Sequence, residues 1–236
     1  MTDPFSTPEG LMPFDLPILY AHAAVEWGSA LLTPLAGSAA TAVAIVLATL
    51  GVRLLLLPLT FRQIAVERRR AALAPRVQKL RDRHADDPLR ALTEVSALYR
   101  DEGVGTLTTM GPLVLQAPFF LTLFSLFRLP TVGGAPNGLL GHELGGVPLG
   151  DHWLDGSLLG VHSVVFVVLF GLFLVLATVG ARRLRRLGQP AWLGFAPYVS
   201  VVFAITVPLA AVLYLLTSTL WTTLENAVLR DRLRRT

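Results

Sequence analysis

AATAVAIVLATLGVRLLLLPL, running from Ala39 to Leu59, is apolar or small throughout except at Arg53. At ~1.5 Å per residue such a helix spans roughly 30 Å, enough to cross the hydrocarbon core of a bilayer. The next cationic residue is Arg62, roughly 13 Å further along a helix, so Arg53 lies too deep to snorkel easily to the interface. A charge centred on a membrane helix costs at least ~2.5 kcal/mol, and such a residue faces protein or a water-filled cavity. Arg53 is therefore either a structural arginine paired inside a helix bundle or a functional group. An intramembrane charge is read first as the latter.

Composition agrees with a membrane setting. Hydrophobic residues make up 53% of the chain and the mean hydropathy is +0.59, more than the core of a 236-residue soluble domain requires. Charged residues are only 15% and they cluster. The expected fold class is an all-α polytopic membrane protein. A net charge of +4 and a pI near 10.1 would suit a nucleic-acid partner, but the placement of the charges argues for membrane orientation instead. The 236 residues hold no cysteine, which removes disulfides, thiol nucleophiles and a lipid-anchored cysteine from consideration. The first charges are Asp3, Glu9, Asp15 and Glu26, unlike the basic start of a signal peptide, and no cleavage is expected.

The chain before the first span, residues 1–37, reads as an extracytoplasmic segment. Residues 1–15 are rich in Pro, Thr and Gly; Leu16 to Leu35 is moderately apolar but broken by Pro17 and Pro34. An interfacial amphipathic helix is expected there, with Tyr20 and Trp27 at headgroup level. After the first span (about 38–60), residues 62–104 are densely charged. Apolar residues recur at Ile64, Leu73, Val77 and Leu80, then at Leu89, Leu92, Val95 and Leu98, close to helical spacing. Asp86-Asp87-Pro88 offers a cap and a first-turn proline, and Gly103 and Gly105 end the pattern. This predicts an antiparallel helical hairpin outside the membrane, with Pro75 as a candidate kink.

The second span, about 106–128, contains Pro112, Gln116 and Pro118; kinks are expected, since neighbouring helices can satisfy the freed carbonyls. A Gly/Pro-rich loop follows, charged by Glu143, Asp151 and Asp155. The third span is about 158–180, with His162 in its first turn as a satisfied interfacial histidine. Residues 192–207 and 209–229 together are too long for one crossing and predict two spans turning at Pro208. Residues 231–236 form a short basic tail. Of the twenty Lys and Arg, ten lie between the first and second spans, four between the third and fourth, and four after the fifth. The positive-inside rule then gives five spans, N-terminus outside and C-terminus inside.

Catalytic signatures are absent. The sequence contains no HExxH, GxSxG or GxxxxGK[ST], and His22, His84, His142, His152 and His162 lack metal-ligand spacing. Neither an enzyme activity nor a cofactor or metal is expected. No Asp or Glu falls inside a span except Glu225 near the end of the last, which counts against a coupled transporter. What remains is a membrane-embedded polar set: Arg53, Gln116 and the hydroxyl-rich run Thr217, Ser218, Thr219, Thr222 and Thr223. Ser218, Thr222 and Glu225 share one helical face. Singly, such hydroxyls pack helices or bond back to the backbone; beside a buried arginine they suit a hydrated cavity that would admit polar parts of another chain at lower desolvation cost.

The ordered set of these features resembles the bacterial YidC-type membrane protein insertases. It comprises Arg53-Leu54 with Leu57-Pro58-Leu59-Thr60 and Gln63, the hairpin turning at Asp86-Asp87-Pro88, and Leu98-Tyr99 before Gly103-Val104. Pro112-Leu113 with Gln116 and Pro118, then Val207-Pro208 with Tyr214 and Thr217-Ser218, complete it. The likeness covers roughly residues 16–230. It implies a five-helix core around a hydrophilic groove open to the cytoplasm and to lipid, with Arg53, Gln116, Ser218 and Thr222 as groove residues in the bacterial plasma membrane. The partners it implies are nascent membrane proteins, the lipid bilayer, and the Sec translocon and ribosome, with no specific nucleic acid. Two departures stand out: Gly103-Val104-Gly105-Thr106 replaces the family's frequent Gly-Val-Asn-Pro, and the basic tail is short, against ribosome binding through an extended tail. A small-solute transporter or channel is the alternative; a structural subunit whose Arg53 pairs permanently with another chain is a second.

Overall fold

The computed structural model describes residues 15–104, 117–118, 121–156, 160–186 and 191–230. The helices are α1 (Asp15–Ala36), α2 (Ala40–Leu55), α3 (Leu57–Arg83), α4 (Pro88–Asp101), α5 (121–128), α6 (Val161–Arg186), α7 (Ala196–Ala204) and α8 (Leu209–Glu225). Two compact units result, Met1–Arg53 with Phe120–Thr236, and Leu54–Phe119.

In the first unit, α1 is one unbroken helix, where the sequence suggested interruption at its prolines. Pro17 falls in the first turn, where a missing N–H costs nothing, and Pro34 lies in the last. The chain then reverses at Gly37, whose φ of +54° favours glycine. Past that turn α2 meets α1 locally: Ser29 Oγ and Thr41 Oγ1 are 2.6 Å apart and buried, and His142 Nδ1 joins the same pair. A Cβ on Gly28 would stand 3.5 Å from Ala44 Cβ, so small residues permit the close approach.

The N-terminal half of α8 is the centre of this unit. Leu209, Ala210, Ala211 and Val212 are all but inaccessible, enclosed with Leu126, Phe127, Phe166 and Phe173 in one core. Its start has no side-chain cap, because Pro208 occupies the N-cap. The orphan N–H groups are instead satisfied from the loop: Leu209 donates to the Asp151 carbonyl and Ala210 to the Leu149 carbonyl, both at 2.9 Å. The expected turn between two helices therefore lies at residues 205–208, although α7 has only nine residues and is preceded by a 3₁₀ turn, Ala191–Phe195.

That loop departs from the irregular segment expected. Thr131–Val132 pairs with Ala135–Pro136 and Glu143–Leu144 with Val147–Pro148, each antiparallel. Gly133-Gly134 and Gly145-Gly146 sit at positive φ in the two-residue turns. Asn137, buried, donates from Nδ2 to the carbonyls of Leu126 (2.7 Å) and Leu129 (3.0 Å), closing the end of α5. Outside this layer, His152 donates to Asp155 from its backbone N–H and then from its ring, holding that exposed carboxyl below the usual carboxylate range. His162 differs from the satisfied histidine expected. Its half-buried ring is tilted against Phe166, with centroids 4.9 Å apart, and lies 3.9 Å from Asp151, with no hydrogen bond among the described residues.

On α6, Phe166, Leu169, Phe173, Ala177 and Ala181 face the core at helical spacing. Val164, Val168, Leu172, Val175 and Val179 on the other side are exposed and equally apolar. A helix apolar all round belongs in a bilayer. By length and composition alone, the helical stretch Leu16–Leu55, which contains the turn at Gly37, and Val161–Arg186 are long and apolar enough to cross one among the described residues; Trp192–Ala204 is a shorter apolar helix. Most of the expected second span, Gln116 included, lies outside the described residues.

The second unit holds an antiparallel helix pair, α3 and α4, with α3 beginning at Leu57, ahead of the residue 62 expected for the hairpin. Asp87 Oδ1 accepts from the Arg90 N–H at 3.0 Å with Pro88 in the first turn, the cap read from sequence. At the far end Gly103 has φ +70°, and its N–H and that of Val104 bond back to the Arg100 and Tyr99 carbonyls, a Schellman closure. His84 meets Glu94 at 3.0 Å, Arg76 meets Glu102 at 2.6 Å, and Arg70 lies 4.5 Å over the Tyr99 ring. These pairs fix an antiparallel register. Ile64, Leu73, Val77 and Val95 are buried as the pattern required, whereas Leu89 and Leu92 are exposed; α3 continues through Pro75.

Asn137→Ala would leave the Leu126 and Leu129 carbonyls without their donor, at about 1–3 kcal/mol. A clear fall in the thermal midpoint of the purified protein in detergent is expected; an unchanged midpoint would show that this closure contributes nothing.

Candidate functional site

Arg53 ends the polar side of α2, and its Nη2 donates to Ser218 Oγ on α8. The residue is half-buried. Tyr214, one turn before Ser218, hydrogen-bonds that same serine, and both Tyr214 and Glu225 act electrostatically on Arg53. Positions 214, 218 and 225 recur at helical spacing, so one face of α8 is turned to the guanidinium. Glu225 also accepts from Trp221 Nε1 at 2.9 Å. The arginine thus has a neutral hydroxyl contact and a carboxylate in its field, the kind of surroundings a charge in an apolar bundle requires.

This cluster borders a cavity of about 300 Å³ walled by Arg53, α6, α7 and the C-terminal half of α8. Ser218 and Thr222, both named from sequence, line it, with Thr219 and Thr223 beside them. Their chemistry is mixed. Thr217, Thr219, Thr222 and Thr223 each give their proton to the carbonyl four residues earlier, at 2.8–3.0 Å. They bond backward, as isolated threonines in membrane helices do, yet three of the four still border the cavity. Ser218 differs because its oxygen accepts from Arg53. Of the four expected groove residues the structure brings together Arg53, Ser218 and Thr222; Gln116 lies outside the described residues.

Sequence reading missed Arg183, Ser200 and Asn226 at this cavity. Arg183 was one of a basic cluster taken as loop, but α6 continues to Arg186. The signal available was Gly180, one turn earlier: a Cβ there would stand 3.4 Å from Pro197 Cγ, so glycine lets α7 close the wall. No carboxylate lines the cavity among the described residues, and no cluster of metal-ligating side chains exists among them.

Comparison with known proteins gives the family. The family model described as 60Kd inner membrane protein matches residues 32–236. The chain belongs to this family, that of the YidC-type proteins. Relatives named membrane protein insertase YidC include one from Acidiphilium cryptum, 37% identical over 36% of this chain and 14% of the relative. Another, from Actinobacillus succinogenes, is 27% identical over 79% of this chain and 33% of the relative. A third, from Streptomyces avermitilis, is 25% identical over 72% of this chain and 46% of the relative. The chain therefore spans less than half the length of these relatives. A family of inner membrane proteins accords with the apolar helices, and nothing in the comparisons supports a transporter.

Ser218→Ala removes the acceptor from Arg53, and a hydrogen bond to a charged group contributes about 1.5 kcal/mol or more. A measurable loss of thermal stability is expected for Ser218→Ala and little for Arg53→Ala/Ser218→Ala beyond Arg53→Ala alone. Additive losses in this double-mutant cycle would show that the two side chains act independently.

Proposed function

We propose that the chain is a membrane protein insertase and chaperone of the bacterial plasma membrane, receiving nascent membrane proteins in a hydrophilic groove centred on Arg53. The observation that carries the reading is an arginine held by Ser218 at the edge of a polar cavity in an otherwise apolar bundle, in a chain whose relatives are named insertases. In this reading the chain crosses the bilayer five times, N-terminus outside and C-terminus inside. Gln116 and Thr222 complete the groove, and α1 lies along the outer interface with Tyr20 and Trp27, both exposed, at headgroup level. The charged hairpin lies in the cytoplasm between the first two spans. Substrates arrive from the ribosome or from the Sec translocon.

The physical steps follow from the charge. A guanidinium in a site of lowered dielectric attracts the acidic and polar residues of a translocating tail more strongly than it would in water. The groove hydroxyls lower the desolvation cost of that tail. Transfer of the substrate's apolar segment into lipid then supplies the driving force. No nucleotide hydrolysis or cofactor enters the scheme.

Arg53→Glu reverses the sign of the groove and is expected to lower insertion of single-span substrates with acidic tails about tenfold, the scale of one charged contact, with expression unchanged. Arg53→Ala should fall between. Protease protection of the tail in vivo reads the effect, and normal insertion of several such substrates by the Glu variant would contradict the electrostatic role.

A further inference from the structure

Glu225 is the only carboxylate on any helix that walls the cavity. α2, α6 and α7 carry no acid, and Glu225 is the one charged residue of α8. It stands seven residues beyond Ser218, about 20° away around the helix and about 10 Å further along it, on the face turned to Arg53. Its charge acts on the guanidinium whose Nη2 donates to Ser218. The side chain is half-buried and held in place: Trp221 Nε1, one turn earlier, donates to Glu225 Oε2 at 2.9 Å. An indole N–H is a donor only, and here it fixes one oxygen of the acid that compensates Arg53.

The consequence is competition. A guanidinium in an apolar bundle needs a compensating charge close by, and here that charge belongs to the chain itself. A guest carboxylate that approaches Arg53 meets the attraction of the arginine and the repulsion of Glu225 together. Its net gain is the difference between the two, while a neutral polar guest is spared the repulsion. In the five-span orientation α8 runs from the outer face at Pro208 to the cytoplasmic face at Glu225. A guest from the cytoplasm therefore passes the carboxylate before it reaches Ser218.

We propose that Glu225, held by Trp221, is a built-in competitor for Arg53 that limits the preference of the groove for acidic substrate tails. This rests on the insertase reading above and adds to it the residue that sets which tails are favoured. Without the competitor, an acidic residue of a guest would be held by Arg53 unopposed. With it, the chain's own carboxylate takes the arginine back as the guest leaves.

The test reconstitutes the full chain in vesicles of phosphatidylethanolamine and phosphatidylglycerol with two single-span substrates that differ only in two tail residues, Asp in one and Asn in the other. Protease protection of the tail gives the ratio of acidic to neutral insertion. Glu225→Gln is expected to raise that ratio about fivefold, the low end of coupling between two sites. Glu225→Asp, which keeps the charge, should stay near the unaltered ratio, and Trp221→Phe should raise it by less than Glu225→Gln. A ratio unchanged by Glu225→Gln but lowered by Arg53→Glu would overturn the competitor and leave the groove reading standing. A ratio that neither variant moves would overturn both. Proportional losses with the two substrates, together with a lower thermal midpoint, would make Glu225 a structural counter-ion and overturn the proposal as well. Where the Gln variant does not fold, Trp221→Phe decides by the same ratio.

Discussion

A positive charge within an apolar helix has to be compensated locally, and Arg53 imposes that requirement on everything around it. Its stem leaves α2 among leucines and its guanidinium meets a hydroxyl on α8. A hydrogen bond from a charged donor is stronger than one between neutral groups, and stronger again where water is scarce. The remaining N–H groups need water, substrate or other polar atoms. The hydroxyl-rich end of α8, the approach of Glu225 and the cavity between α6 and α7 answer that need. Remove the arginine and the polar half of α8 has no evident purpose.

α8 joins this site to the rest of the first unit because its two halves differ. Leu209 to Tyr214 is buried on every side and provides the core; Ser218, Thr219, Thr222 and Thr223 provide the cavity wall. The register of the polar half depends on how the apolar half is seated, and the seat is the glycine-turned loop whose carbonyls cap the first two N–H groups. Asn137 fixes the same loop to the end of α5. A segment at one end of the helix therefore positions a hydroxyl that meets Arg53 more than two turns away.

Much of this was legible in the sequence because it rests on local rules. Arg53 stands out by contrast with its neighbours, Asp87-Pro88 by cap chemistry, and Gly103 as a glycine ending a helical pattern. α3 and α4 turn at Asp87-Pro88 and close at Gly103, but α3 starts at Leu57, inside the span expected to run to about 60, because the apolar run gives no sign of the helix break at Leu56. What could not be read was tertiary. The double-glycine pairs stand in what reads only as a Gly/Pro-rich loop, and two-residue strands have no period to detect. The loop carbonyls that replace a side-chain cap at Pro208 come from residues 149 and 151, with no pattern linking them. Arg183 looked like a loop charge because nothing in its run marks where α6 stops. The proline at 17 misled for the opposite reason, since it sits in the first turn where it is tolerated, while Pro34 is carried inside the last turn of α1 just before the reversal at Gly37.

The central claim is that water reaches Arg53 from one side of the membrane. The 236 residues hold no cysteine, so single cysteines at 53, 218 and 222 can be tested with a membrane-impermeant thiol reagent in inside-out and right-side-out vesicles. Labelling is expected at all three positions from the cytoplasmic face and at none from the outer face. Labelling from both faces would make the cavity a pore, and labelling from neither would make Arg53 a buried structural residue.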